Sequence, residues 1–261
     1  METIRDNWYD HPHLYDIAFG YDPTAEVDFV VDAFRRFSDA PVKRVFEPFC
    51  GTGRIVIELA RRGYSVHGLD INSAAIEYAR ERCRLVGVNV ELRTGDVCSW
   101  AAPEPFDAIV TLIDSFRHLR TEEAASAAVS AFHRGLKPGG VLVIGIDVNE
   151  RIDAVAAEQS WTEQRDGLTV ETTVSDLQRP GSTPGTNVLR SLLHVTEAGG
   201  RKYDLITDEE FRVYTRQSFC DLMFKHGPFE PRVICDRKYD LDRPISPEQP
   251  AGDIVAVFRR M

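Results

Sequence analysis

The sequence is poor in cysteine. Cys50, Cys83, Cys98, Cys220 and Cys235 are scattered over 261 residues. They are odd in number and form no Cys-x-x-Cys pair, so neither a disulfide framework nor a zinc site is indicated, and a reducing cytoplasm fits. The seven histidines lack metal-ligand spacing, so no metal is expected. No run of about 18 apolar residues occurs, and no membrane span is expected. The first residues, METIRDNWYDHPHLYD, lack the charged-then-apolar order of a signal peptide. Positive charge is not in excess either. Lys and Arg number 31 against 41 Asp and Glu, and the net charge of −10 argues against a general nucleic-acid binder. No internal repeat is present.

What is there is a good core. The apolar share is 43%, and the length suits one large domain or one domain plus a lid. From Val42 onward, apolar runs alternate with helical patterns. Strands are predicted at Val42 to Phe46, Tyr64 to Leu69, Val88 to Leu92, Ala108 to Ile113 and Val141 to Ile146. Helices are predicted at Ile55 to Arg62, from Asn72 to Gly87, and from Thr121 to Leu136, with Lys137 to Gly140 as a turn. This β-α alternation predicts an α/β fold: a Rossmann-like, doubly wound, mostly parallel sheet with helices on both faces.

The pattern changes after Asp147. Leu168 to Val174 alternates by twos, and Val188 to Val195 and Arg201 to Thr215 read as two more strands. Turn residues between them predict an antiparallel insertion before a last helix at Gln217 to Lys225. Two closing strands follow, near Pro231 to Asp236 and Asp253 to Phe258. The expected organisation is an N-terminal helical cap segment (1–40), a core (41–150), the insertion (151–215), and the last helix with closing strands (216–261). The insertion reads equally as a lid over a substrate and as a stabilising cover or homodimer surface.

The stretch VFEPFCGTGR, Val45 to Arg54, runs from a strand into a glycine turn. Gly51 and Gly53 are present, but Val56 stands where a dinucleotide fingerprint has its third glycine, and no P-loop Lys-Ser or Lys-Thr follows. Glu47 would repel a pyrophosphate and suits a ligand with an ammonium group. Asp70, ending the second strand, can take both ribose hydroxyls, and Asp96, after the third, can accept an adenine amine proton. These three acids at adjacent strand ends call for an adenosine with a cationic amino-acid tail, which is S-adenosylmethionine.

The sequence resembles the class I S-adenosylmethionine-dependent methyltransferases from roughly Leu14 to Asp147. VFEPFCGTGR, HGLDINSAAIEYAR, RTGDV, FDAIVTLIDSF and LKPGGVLVI follow in the family's order. The pattern departs at Phe49, where the family carries glycine. The resemblance implies cofactor contacts from Tyr15, Glu47, Phe49, Cys50, Gly51, Gly53, Asp70, Ile71, Asn72, Gly95, Asp96, Val97, Leu112 and Ile113. Arg54 is either a solvated helix residue or a partner of the methionine carboxylate. HLYDIAF, DSFRHL and the insertion before YTRQSFCDLMFKHG resemble a subgroup containing glycine N-methyltransferase and deoxysugar N,N-dimethyltransferases, whose members act on small molecules.

That layout implies a small-molecule methyl acceptor, with His118 as base and Tyr15 as orienting group. His118 could also bond a backbone carbonyl or only position the acceptor, and Tyr15 could be a packing aromatic. The competing classes are a nicotinamide oxidoreductase, a nucleic-acid base methyltransferase, and a cofactor-binding protein without catalysis. Base methyltransferases carry Asp/Asn-Pro-Pro-Tyr after the fourth strand. Here that position reads Ile113-Asp114-Ser115-Phe116.

Overall fold

The structure, a computed structural model, describes residues 2–149, 158–246 and 252–261. In chain order the strands and helices are β1 (Glu2–Arg5), α1 (Pro12–Ala18), α2 (Thr24–Phe37), β2 (Arg44–Pro48), α3 (Arg54–Arg61), β3 (Ser65–Asp70), α4 (Ser73–Val86), β4 (Val90–Thr94), β5 (Phe106–Thr111), α5 (Glu122–Gly135), β6 (Leu136–Val148), β7 (Gln159–Arg165), β8 (Leu168–Pro180), β9 (Thr186–Thr196), β10 (Lys202–Arg212), α6 (Arg216–His226), β11 (Phe229–Asp236) and β12 (Gly252–Arg260). Short 3-10 turns lie at Trp8–Asp10 and Ser115–His118. Among the described residues, no helix is long and apolar enough to cross a membrane.

Seven strands form the main sheet in the order β11-β12-β6-β5-β2-β3-β4. The five from β6 to β4 are parallel, and β12 runs antiparallel between β6 and β11. The helices alternate faces as a doubly wound sheet requires. Val27, Phe34, Leu59 and Ile76 from α2, α3 and α4 fill one core, and Phe132, Phe219 and Met223 from α5 and α6 fill the other. Local signals set the helix ends. Asn72 and Thr121 cap α4 and α5 by accepting from Ala75 N and Ala124 N, and Gly87 closes α4 in the left-handed region at φ 71°.

A second sheet, of order β1-β10-β9-β8-β7, contains the insertion. It has five strands where three are expected from sequence. The fourth is β7, joined to β8 by Asp166-Gly167. Both turn residues have positive φ, 52° and 79°, and Arg165 pairs with Leu168. This is the two-residue hairpin geometry that Asp-Gly favours, but the polar composition of β7 hides the strand. The fifth is β1, which pairs parallel with β10, Glu2 opposite Tyr203. The N-terminal segment is therefore not wholly helical. Its Trp8, Leu14 and Ile17 pack under the second sheet against Val170, Leu193 and Leu205.

The expected turn at Lys137 to Gly140 is instead part of β6. Phe106 pairs with Leu136 and Ala108 with Val141, so the extra residues bulge out of the ladder, with Gly139 at φ 76°. The expected boundary between 150 and 151 lies outside the described residues.

Candidate active site

The carboxyl ends of β2, β3, β4 and β5 open onto one cavity of about 340 Å³, within the usual range for small-molecule sites. Its floor is the turn after β2. Phe49, Gly51 and Gly53 all have positive φ, at 59°, 51° and 85°. Phe49 therefore keeps a left-handed backbone with a full side chain, which costs about 1–3 kcal/mol. The Gly51 N–H donates to Asp70 Oδ2 at 2.8 Å, and the Asn72 N–H donates to Asp70 Oδ1 at 2.9 Å. The carboxylate at the end of β3 is thus gripped on both oxygens, each of which has further acceptor capacity. Burial pushes the Asp70 carboxyl above its ordinary range, against the pull of the Asn72 and Gly51 N–H groups.

The rim carries groups suited to a nucleoside. Ile71 is 73% exposed, an apolar side chain placed to lie against a flat ring. Asp96 accepts from Cys98 N at 2.8 Å, and Gly95 and Val97 flank it on the cavity wall. Asn72 does double duty. Its Oδ1 caps α4, and its Nδ2 donates to Tyr9 O at 3.0 Å and Asp10 Oδ1 at 2.9 Å. The helix cap thereby ties the N-terminal turn to the cavity.

Beyond β5, Ile113 and Asp114 both take positive φ, 54° and 59°. For a β-branched residue that is a true outlier. The turn is held from behind. Asp114 accepts from Asp147 N and, at 3.2 Å, from Arg237 Nη2. Buried Arg117 donates to Arg212 O at 2.9 Å and to Asp147 Oδ2 at 3.0 Å. Burial and the neighbouring Asp114 carboxylate push Asp147 up to about 6.

His118 stands at the end of this turn, between two elements from elsewhere in the chain. Its Nε2 lies 3.1 Å from the Tyr9 hydroxyl, and its Nδ1 lies 3.5 Å from Glu209 Oε1 on β10. Tyr9 packs on Tyr15 with ring centroids 5.1 Å apart. Burial drives both phenols above their ordinary range.

Of the residues predicted from sequence, Tyr15, Phe49, Gly51, Asp70, Ile71, Asn72, Gly95, Asp96, Val97, Ile113 and His118 line this cavity. Five predicted contacts do not. Arg54 is spent on Glu26: its Nη2 donates to Oε1 at 2.9 Å, with side chains 10% and 5% exposed, and it lies over the Tyr21 ring. Cys50 faces the core, where a Cβ on Gly68 would come within 2.8 Å of its sulfur. Leu112 is buried in the same core. Gly53 opens α3, and a Cβ there would meet Ala79 Cβ at 3.2 Å. Glu47 is 6% exposed, its carboxyl raised by burial, and its Oε2 has no hydrogen-bond partner among the described residues. That orphaned acceptor suits a cationic donor, and with the gripped Asp70 and the apolar Ile71 the residues present fit S-adenosylmethionine.

Sequence reasoning missed Tyr9 and Glu209. Tyr9 lies in the irregular run before α1, where no periodicity marks it. Glu209 did leave a signal. It shares strand parity with buried Leu205, Thr207 and Phe211, and an acid on an apolar face points to a task.

A sheet of this order, with one antiparallel strand next to its edge and an acid gripped at the end of the second parallel strand, defines the class I methyltransferase fold. Residues 45–140, the central part of the main sheet, match the family described as a methyltransferase domain. Over 139 residues it is 30% identical to dTDP-3-amino-3,4,6-trideoxy-alpha-D-glucopyranose N,N-dimethyltransferase of Streptomyces venezuelae, covering 52% of this chain and 56% of that one. The chain thus spans about half the length of the curated relatives it matches. Among solved structures, an S-adenosylmethionine-dependent methyltransferase from Clostridium acetobutylicum superposes with TM-score 0.77 at 17% identity, covering 97% of this chain and 99% of that one. A sugar N-methyltransferase from Streptoalloteichus gives TM-score 0.72 at 20% identity, covering 95% and 92%. At these identities the two structures speak for the fold.

Proposed function

We propose that the protein is an S-adenosylmethionine-dependent methyltransferase that methylates a small molecule at nitrogen or oxygen. The observation that carries this reading is the Asp70 carboxylate, oriented by Gly51 N and Asn72 N toward a cavity that also holds Ile71 and Asp96. When bound, S-adenosylmethionine supplies a methyl group made electrophilic by the adjacent sulfonium.

The chain's own residues do the rest. Asp70 accepts from the ribose diol, Asp96 from the adenine amine, and Ile71 and Val97 flank the ring. Glu47 presents a carboxyl toward the amino-acid end from beneath the glycine turn. The Ile113–Asp114 turn and Tyr15 shape the space beyond the sulfur. His118, opposite the N-terminal segment, takes the proton that the acceptor sheds. Holding the acceptor in line and excluding water can lower the barrier by about 7–11 kcal/mol in good cases. Relatives acting on amino sugars support a small, nitrogen-bearing acceptor. The five free cysteines, three of them buried, support a cytoplasmic location.

Calorimetry with S-adenosylhomocysteine and with NAD tests the reading. Binding of S-adenosylhomocysteine in the micromolar range, with no heat from NAD, is expected. The reverse would make the protein an oxidoreductase.

A further inference from the structure

Two features around His118 have no part in the proposed reaction. One is that the hydrogen bond to His118 comes from Tyr9. The other is that a carboxylate of the second sheet, Glu209, lies 3.5 Å from the opposite ring nitrogen. Both residues line the cavity. Each belongs to a part of the chain remote from His118, so the arrangement is a product of the tertiary fold and not of local sequence.

We infer that Tyr9, His118 and Glu209 form a directed proton path, in which the Tyr9 hydroxyl meets the acceptor, His118 Nε2 receives the proton, and Glu209 is the positioning residue that fixes the ring through Nδ1. This rests on the methyltransferase reading of the cavity. The direction follows from donor and acceptor chemistry. A carboxylate can only accept, so the negative charge of Glu209 Oε1, 3.5 Å away, favours the imidazole with its proton on Nδ1. Nε2 then carries the lone pair and accepts from the Tyr9 O–H at 3.1 Å. The Tyr9 oxygen keeps its own lone pairs for a proton arriving from the cavity.

The atoms balance. The acceptor heteroatom forms its bond to the methyl carbon, and the broken carbon–sulfur bond leaves its electron pair on sulfur. The acceptor then gives one proton to the Tyr9 oxygen while the Tyr9 proton moves to His118 Nε2. The resulting imidazolium faces Glu209. Glu209 Oε2 is buried without a hydrogen-bond partner among the described residues, so the carboxylate is not committed elsewhere.

Tyr9 is pinned for this task. Its N–H donates to Asn7 Oδ1 at 3.0 Å, its carbonyl accepts from Asn72 at 3.0 Å, and its ring meets those of Trp8 and Tyr15. Burial keeps its phenol protonated, which suits a relay and not a phenolate base. The charged and titratable groups around His118 are Tyr9 from the N-terminal turn, Glu209 from β10, Asp70 from β3, and Arg117 and Arg120 beside it in sequence. Of these, Glu209 is the one paired with a ring nitrogen through a carboxylate.

The test needs no acceptor. Nitrogen-15 NMR of the imidazole reports which ring nitrogen carries the proton in neutral His118. The wild type should show mainly the Nδ1–H tautomer, the less common one in water. Glu209→Ala should shift the tautomer ratio toward Nε2–H by about threefold, the scale of a part-exposed ion pair. Glu209→Gln, which keeps an oxygen acceptor, should hold Nδ1–H. Tyr9→Phe should move the Nε2 resonance and leave Nδ1 nearly in place. A wild type dominated by Nε2–H, or an unchanged ratio in a folded Glu209→Ala, overturns the path. Calorimetry with S-adenosylhomocysteine on the same samples separates the two readings. If the wild type does not bind it, the methyltransferase reading fails. If it binds and the tautomer is wrong, only the path fails.

Discussion

Replacing Asp70 with Asn tests the cofactor site most sharply, and its effects on stability and binding can be worked out separately. The side chain accepts one backbone N–H on each oxygen, at 2.8 Å and 2.9 Å. An asparagine has one oxygen. Either Gly51 or Asn72 must then face an amide N–H, and a bond to a charged group worth about 1.5–3 kcal/mol is lost. Part of that returns, because burial already penalises the charge and a neutral amide avoids the penalty. We expect a net loss of about 1–2 kcal/mol, a fall in Tm of a few degrees for a chain of this size. Binding has no such offset. Two ribose hydroxyls need two acceptors, and one is gone. The loss of about 1.5–3 kcal/mol corresponds to a Kd for S-adenosylhomocysteine raised roughly 10- to 150-fold. Calorimetry gives the affinity, and a melt without ligand gives the stability. A folded Asp70→Asn with affinity within threefold of wild type would refute the assignment.

Arg54→Ala breaks a buried ion pair with Glu26 and should cost about 3–5 kcal/mol in urea unfolding. If the variant still folds, its S-adenosylhomocysteine affinity should stay within threefold, and a large loss would return Arg54 to the cofactor site. Asp147→Asn removes a carboxyl whose folded pKa, about 6, lies above the ordinary range of an aspartate. The folded wild type holds that proton more tightly, so its stability relative to the variant should grow as pH falls, by about 1.4 kcal/mol from pH 8 to pH 5; a difference flat with pH would count against it. Asn72→Ala loses the α4 cap together with the bonds to Tyr9 and Asp10, and a drop of about 1–2 kcal/mol with weaker S-adenosylhomocysteine binding is expected in melts and calorimetry.

The sheet could be read from sequence because its signals are local. Apolar runs such as Ala108 to Ile113, caps at Asn72 and Thr121, and the left-handed Gly87 each declare an element without reference to the rest of the chain. The acid at Asp70 was legible for the same reason, since it follows directly from its position at a strand end. Tertiary partners were not legible. Nothing near Arg54 in sequence announces Glu26, 28 residues away, so the arginine looked available. Cys50 was placed beside the cofactor by its position in the resembling motif, and only its close packing on Gly68 shows that it faces the core. Tyr15 and Tyr9 lie in one aromatic cluster, and sequence offered no means to tell which hydroxyl reaches His118. Strands β1 and β7 were missed because each owes its pairing to a neighbour and not to its own hydrophobicity.

The short strand β1 covers one side of β10 along Tyr203 to Ile206. Shortening the chain by its first few residues would leave that row of backbone donors and acceptors bare at the margin of a sheet reduced to four strands. Such a margin recruits strands from other molecules. A trimmed protein could therefore self-associate, or borrow the missing strand from a second copy, while its main sheet stayed intact. Tags and truncations near residue 2 accordingly bear on the colloidal behaviour of this protein, and any oligomer seen with such a variant needs comparison with the full chain.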